Sequence, residues 1–153
     1  MYDSYIAGFE PAQGLIAPGY FDTDNDGFVE ELDTTWPALE TSEGAAGALV
    51  STAPDLLSFA RGLFGGKIIS ELSLGAMTTP GRFGSRYTDY GLGVEITSPD
   101  LETTVWGHGG LVPGYRAILW HAPVSDLTII VLTNESRSRP DGLAELALGI
   151  ATR

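Results

Sequence analysis

The sequence predicts an α+β fold in which an antiparallel β-sheet is packed against helices. Three observations support this fold class. Residues 90–153 contain β-prone segments separated by short turn signals, and short connections favour antiparallel pairing. Residues 46–80 carry helix start and stop signals, whereas residues 1–45 are irregular and acidic. A chain of 153 residues with 43% hydrophobic residues can bury one core, so we expect a single domain over residues 1–153.

The composition excludes several classes of partner. The formal net charge is −12 and Lys67 is the one lysine, so the clustered cations that phosphate groups require are missing. We therefore expect neither nucleic acid nor an anionic membrane surface as a partner. Apolar runs fall well short of the roughly 20 residues that span a bilayer. Without cysteine, disulfides and thiolate metal sites are excluded.

An acidic loop is the main feature of residues 1–45. Oxygen-bearing side chains occupy positions 1, 3, 5, 9 and 12 of a twelve-residue pattern, with Gly27 at position 6 for the sharp turn. The candidate ligands are Asp22, Asp24, Asp26, the carbonyl of Phe28, Glu30 and Asp33. The pattern resembles an EF-hand-type or dockerin-type Ca²⁺ loop. In this sequence Asp33 replaces the bidentate glutamate that is usual at position 12, which weakens the expected affinity. An acidic surface turn without metal is the alternative.

The middle of the chain predicts two helices. A hydroxyl residue followed by Pro54 marks a helix start, and Gly65-Gly66 ends the helix. Ser51 lacks a neighbouring base and lies outside a Gly-x-Ser-x-Gly turn, so we interpret it as a helix cap and not as a nucleophile. A second, shorter helix is predicted over residues 70–77.

The last third of the chain predicts the sheet. Four strands are expected, over residues 90–97, 102–106, 115–122 and 127–134, with a closing helix over 141–151. Residues 127–132 are apolar almost throughout, which is typical of a strand covered on both faces. His121 lies at a strand end beside Pro123, and we interpret it as structural.

Between the second and third predicted strands, Gly107–Gly114 place a histidine among glycines. Glycine allows bare backbone N–H groups to approach a ligand, and the charge of His108 is adjustable near neutral pH. Such a combination suits an oxyanion or a carboxylate. The alternative, which the local pattern alone favours, is a glycine-rich hairpin whose histidine satisfies a turn.

Three motifs carry a resemblance to a known family. Gly107–Gly110 followed by Gly114-Tyr115 resembles the third active-site motif of the serine β-lactamase and DD-peptidase family, a Lys-Thr-Gly or His-x-Gly triplet on the strand that lines the catalytic cleft. Residues 46–56 resemble the family's AGGL-x-ST-x-x-DL helix entry, and residues 90–94 resemble its YGLGW strand. The motifs follow the family's order and point to the branch of class C β-lactamases, DD-carboxypeptidases and esterases.

The resemblance implies a partial β-lactamase/transpeptidase-like fold and a site on one strand. His108 would project into the cleft as a hydrogen-bond donor, Gly109 and Gly110 would let substrate approach, and the N–H of Leu111 would be an oxyanion donor. Also implied are hydrolysis of β-lactams, D-amino-acid peptides or small esters, a periplasmic or secreted location, and no organic cofactor.

Two family motifs are missing from the sequence. The residue three positions before Lys67 is Phe64, so no Ser-x-x-Lys exists, and no tyrosine is followed two positions later by asparagine. Because both motifs lie upstream in the family, the resemblance implies the C-terminal part of such an enzyme, inactive unless complemented. We expect its exposed sheet to pair with a second copy or with the N-terminal half. The alternatives are a non-catalytic calcium-binding module derived from the fold, or a gene fragment without a separate role.

Overall fold

The computed structural model describes residues 1–32, 44–81, 89–98 and 102–152. Four two-residue strands lie in the first half of the chain: β1 (Tyr5–Ile6), β2 (Tyr20–Phe21), β3 (Glu30–Glu31) and β4 (Leu49–Val50). The main sheet contains β5 (Asp89–Tyr90), β6 (Glu95–Thr97), β7 (Val105–Val112), β8 (Tyr115–Ala122) and β9 (Leu127–Thr133). The α-helices are α1 (Ala53–Phe64), α2 (Glu71–Met77) and α3 (Pro140–Ala151). In the described part of the chain, none of these helices is long and apolar enough to cross a bilayer.

The predicted antiparallel sheet and α+β class are confirmed. The strand order β5-β6-β7-β8-β9 follows the chain, so each strand pairs with the next. Two small ladders, β1 with β4 and β2 with β3, organise the first half of the chain. A single bridge between Tyr20 and Glu135 connects β2 to the segment that follows β9.

Two predicted strand boundaries are wrong. The strand expected over 102–106 continues as β7 to Val112, because every residue from Trp106 to Val112 pairs with a residue of β8. The histidine and its glycines therefore lie inside a strand, and the turn is limited to Pro113 and Gly114. The strand expected over 90–97 is divided into β5 and β6, because Gly93 adopts a left-handed conformation with φ of 73° and reverses the chain.

The three predicted helices are confirmed, with one correction at a cap. The Thr52 hydroxyl, and not that of Ser51, accepts the N–H of Asp55 at 3.3 Å and caps α1. The Ser51 Oγ instead lies 2.8 Å from the Ser4 Oγ. Ser70 caps α2 by accepting the N–H of Ser73 at 3.1 Å.

The sheet has two unlike faces, which we call the helix face and the cleft face. The helix face packs on α3 and forms the core of the described residues, which consists of Val105, Ile118, Trp120, Ala122, Ala144 and Leu148. Because side chains alternate along a strand, Trp106, His108 and His121 point to the opposite, cleft face. There α1 covers one end, where Phe64 stacks on the His121 ring with centroids 4.5 Å apart.

Candidate functional site

The cleft face is open beyond the end of α1. A cavity of about 780 Å³ lies over this half of the sheet. Its floor includes His108, Gly110, Leu119 and Leu132, and its opposite wall includes Ile16, Leu49, Ser51 and Leu56. Leu49 and Leu132 keep 50% and 41% of their surface exposed, so the walls of the cavity are apolar and accessible.

His108 enters this cavity with both ring nitrogens engaged. Its Nδ1 lies 2.6 Å from the carbonyl oxygen of Gly109, and its Nε2 lies 2.9 Å from the hydroxyl of Tyr90. A carbonyl oxygen only accepts, so Nδ1 donates to it, and in the neutral ring Nε2 accepts from the Tyr90 hydroxyl. The exposed imidazole thus has a defined orientation. Sequence reasoning assigned no site role to Tyr90, although residues 90–94 carry one of the three motifs.

The backbone of β7 presents an edge without a neighbouring strand next to this histidine. Among the described residues, β6 is the strand on this side, and its pairing ends at Gly107. Val112 of β7 and Tyr115 of β8 flank a two-residue turn, so they form a hydrogen-bonded pair at the end of the ladder. Because such pairs alternate along an antiparallel ladder, the N–H groups of Leu111 and Gly109 point away from β8 toward that edge. Backbone N–H groups in this arrangement can bind a carboxylate or an oxyanion.

The glycines of β7 differ in what the fold requires of them. A Cβ at Gly107 would lie 1.8 Å from the carbonyl oxygen of Leu119, so packing of the strands excludes any side chain there. At Gly110, on the cleft face, the nearest atom to a Cβ would be the Ala117 Cβ at 3.3 Å. At Gly109 the nearest would be at 3.6 Å, which is ordinary contact. Packing excludes side chains at Gly107 alone of the three, and a glycine at 110 keeps the cavity floor beside His108 bare.

The acidic loop brings together four of the predicted metal ligands. Carboxylate oxygens of Asp22, Asp24, Asp26 and Glu30 all lie within 4.8 Å of one another. Asn25 and Gly27 adopt left-handed conformations that allow this tight turn. The carboxylate of Asp22 also accepts from Arg137 in a salt bridge. Phe28 follows the turn with its N–H bonded to Asp26, whereas Asp33 lies outside the described residues.

His121 has the structural role predicted for it. It is buried, its Nδ1 lies 3.1 Å from the Thr128 Oγ1, and its ring stacks on Phe64. Burial lowers the pKa of this imidazole, and the carboxylate of Asp126 opposes that effect.

Comparisons with known proteins agree with this fold. Searching the curated proteins gives no match. The D-amino acid amidase from Ochrobactrum anthropi SV3, complexed with L-phenylalanine amide, superposes with a TM-score of 0.77 at 23% identity, covering 100% of this chain and 48% of the amidase. A D-stereospecific amidohydrolase from Streptomyces sp. is 26% identical with a TM-score of 0.67, covering 88% of this chain and 38% of the other.

The octameric penicillin-binding protein homologue from Pyrococcus abyssi has a TM-score of 0.79 at 24% identity, covering 98% of this chain and 34% of the homologue. The chain thus spans less than half the length of each of these structures. A family model described as Beta-lactamase matches residues 1–152. On the strength of that match over nearly its whole length, the chain belongs to the β-lactamase family.

Proposed function

We propose that these residues form the C-terminal part of a serine hydrolase that cleaves amide or ester bonds in β-lactams, D-amino-acid peptides or small esters. The observation that carries the proposal is the open cleft face, where His108 and the outward N–H of Leu111 border a cavity of about 780 Å³. The amidase that superposes on this chain is twice as long and was solved with an amide, which supports an amide substrate.

The arrangement supplies binding and charge stabilisation but no attacking group. In a complete site, one backbone donor to the oxyanion contributes roughly 2.7–4 kcal/mol of transition-state stabilisation. That contribution accelerates a reaction only if a nucleophile forms the tetrahedral intermediate. The sequence contains no Ser-x-x-Lys. We therefore propose that the chain is inactive alone and gains activity when a segment bearing that motif fills the cavity.

The exposed apolar wall supports a protein partner at the same place. Leu15, Leu49 and Leu132 are all at least 41% exposed and line the cavity. Strand β9 is the last strand of the main sheet, and no strand of the described residues pairs with its outer edge. That edge can therefore pair with a strand of a partner. An N-terminal segment of the same enzyme is the partner we favour, and a second copy of this chain is the alternative. Light scattering that shows a clean monomer in dilute buffer would contradict the second copy.

The genomic sequence upstream of Met1 provides the first test, and we expect an in-frame Ser-x-x-Lys there. The second test incubates the chain with a chromogenic cephalosporin, a nitrophenyl ester, D-phenylalanine amide and a fluorophosphonate probe. We expect turnover and a serine adduct only when the upstream segment is co-expressed. Turnover or a covalent adduct from the isolated chain would overturn the proposed inactivity.

A matched pair of variants tests the role of Leu111 in the complemented enzyme. Leu111→Pro removes the outward N–H, and proline is tolerated where a strand N–H faces away from its partner. Leu111→Ala keeps the N–H and removes the same side chain. We expect the proline variant to lower kcat by about 10²–10³ relative to the alanine variant, the usual cost of one oxyanion donor.

Calcium binding by the acidic loop is a second candidate function, which the clustering of four carboxylates favours. The salt bridge from Arg137 to Asp22 competes with a cation for the same oxygens. We expect a dissociation constant of roughly 0.1–1 mM. At a free calcium concentration about 100 times that constant, binding would stabilise the fold by about 2.7 kcal/mol. We expect Arg137→Gln to increase this stabilisation and Asp24→Asn to abolish it. A titration without heat and without a thermal shift would exclude the site.

A further inference from the structure

The residue that holds His108 in place lies on a neighbouring hairpin and not on the strand of the motif. The Tyr90 hydroxyl lies 2.9 Å from the His108 Nε2, and the two rings meet edge to face with centroids 5.7 Å apart and planes at 90°. We propose that Tyr90 is a positioning residue, which holds the His108 imidazole in one orientation and so keeps its Nδ1 on the Gly109 carbonyl. The functional consequence rests on the function proposed above for the cleft.

An exposed histidine on a strand needs such support. Its two side-chain torsions would otherwise sample several rotamers, and its neutral ring would exchange between two tautomers. Here the Gly109 carbonyl accepts from Nδ1 at 2.6 Å, and the Tyr90 hydroxyl donates to Nε2. The carbonyl can only accept, so it selects the Nδ1-protonated form of the neutral ring, and the hydroxyl holds the ring in that position. The edge-to-face contact restricts rotation of the ring about its last torsion.

Tyr90 is itself firmly placed by the β5–β6 hairpin. It pairs with Glu95 across the hairpin, and its carbonyl oxygen accepts the N–H of Gly81 at 2.7 Å. The next residue, Gly91, approaches α2 so closely that a Cβ there would lie 1.9 Å from the carbonyl oxygen of Met77. Val94, at the end of the turn, is only 2% exposed. The hairpin therefore connects α2 to the outer edge of β7 and delivers a hydroxyl to the histidine.

The hydrogen bond between Tyr90 and His108 determines how the imidazole is oriented toward a ligand in the cleft. With Nδ1 on a backbone carbonyl and Nε2 on Tyr90, the ring plane is set before a ligand arrives, so less orientational freedom is lost on binding. Nε2 of this tautomer is an acceptor with one lone pair, so a ligand N–H or O–H group that donates to it must replace the phenol. Tyr90 therefore acts on the ligand through His108 as well as beside it.

Nuclear magnetic resonance of the ring nitrogens tests the proposal without any enzymatic assay. The chain contains two histidines, so a sample labelled with ¹⁵N-histidine gives only two imidazole spin systems in long-range ¹H–¹⁵N spectra. At a pH where both rings are neutral, we expect the His108 Nδ1 to show the shift of a protonated nitrogen and Nε2 that of an unprotonated one. In Tyr90→Phe, which keeps the aromatic ring, Nε2 loses its donor and the ring is free to rotate away from the Gly109 carbonyl. We therefore expect averaged nitrogen shifts for His108.

His121 is the internal control, because its signals report whether the variant is folded. Unchanged His121 shifts with averaged His108 shifts support the positioning role. Identical His108 shifts in the wild type and in Tyr90→Phe would overturn it. If Tyr90→Phe fails to fold, Nε2-protonated His108 in the wild type alone would overturn the assignment, and Nδ1-protonated His108 would support it. Failure of the complementation assay with a confirmed tautomer would reject the proposed function and leave the role of Tyr90 standing.

Discussion

Two histidines on the cleft face of one sheet have opposite environments. His121 is covered by Phe64 of α1, hydrogen-bonded to Thr128 and buried. His108 lies on the neighbouring strand, on the same face, and is exposed above a large cavity. The difference arises from α1, which covers the sheet at one end and stops short of the other. The comparison shows that a single sheet face serves as core in one half and as a candidate site in the other.

The closed half shows what the open half lacks. Over His121 a helix supplies an aromatic ring and removes water. Over His108 the opposite wall consists of irregular N-terminal chain and the short strand β4, and large apolar side chains stay exposed. Exposed apolar surface of this kind marks a place where another segment or ligand binds. The substitutions below test this division between the halves, from the largest expected effect to the smallest.

Gly107→Ala is expected to have the largest effect, because it affects the strand that joins the two halves. Its Cβ would lie 1.8 Å from the Leu119 carbonyl oxygen, which is backbone and cannot move aside without breaking the ladder. We expect a loss of about 3 kcal/mol or more in the free energy of unfolding, as for other forced overpacking of a core. Urea denaturation followed by circular dichroism measures it.

Gly110→Ala is the matched control on the same strand. A Cβ there meets only the Ala117 methyl group at 3.3 Å, so we expect the stability to change by less than about 1 kcal/mol. In a complemented enzyme the added methyl group would narrow the cavity floor beside His108 and raise KM. Equal destabilisation by both alanines would show that both glycines serve the fold, and would remove one argument for the site.

Phe64→Ala and Leu132→Ala compare the cover of the two halves directly. Phe64 packs on His121 and Trp106, so its loss opens the closed half, and we expect about 2–3 kcal/mol of destabilisation for this half-buried aromatic ring. Leu132 is 41% exposed at the open half, so its truncation should cost less than about 1 kcal/mol in the isolated chain. Thermal unfolding checks both. An equal cost would mean that the open half is already covered.

The sequence predicted the covered parts of the molecule better than the open ones. Helix α1 was predictable because cap, proline and double glycine are local signals that no tertiary contact overrides here. The extent of β7 was not, because glycines resemble a turn until the seven ladder pairs with β8 are known. The contact between Tyr90 and His108 joins residues 18 apart through a hairpin turn, and no spacing rule brings them together. Motif resemblance located His108, whereas only geometry shows which backbone N–H groups point outward.

The cap of α1 tests the closed half at a smaller scale. Thr52→Ala removes the hydroxyl that accepts from the Asp55 N–H, and we expect a loss of about 1 kcal/mol, the usual cost of an N-cap. Ser51→Ala removes a hydroxyl that lies 2.8 Å from the Ser4 Oγ and donates to the Thr52 carbonyl oxygen at 3.4 Å. It accepts no N–H of the helix, so its cost should be smaller. Chemical denaturation of the two variants measures the difference. A larger loss of stability in Ser51→Ala than in Thr52→Ala would identify Ser51 as the N-cap, as the sequence suggested.

The pH dependence of stability should show the smallest effect, and it concerns the buried histidine. Burial holds the pKa of His121 below the value of about 6.5 expected in the unfolded chain, and Asp126 partly offsets this. The unfolded chain therefore binds a proton first as the pH falls. The contribution of neutral His121 is complete above about pH 6.5 and is lost as the pH falls toward its folded pKa. Comparing the melting temperature at several pH values for the wild type and His121→Gln isolates this contribution, because the variant lacks the titrating ring. The contrary result is a melting temperature of the variant that falls between neutral and mildly acidic pH as much as that of the wild type. Groups other than His121 would then cause the decline, and the closed half would not protect its histidine from protonation.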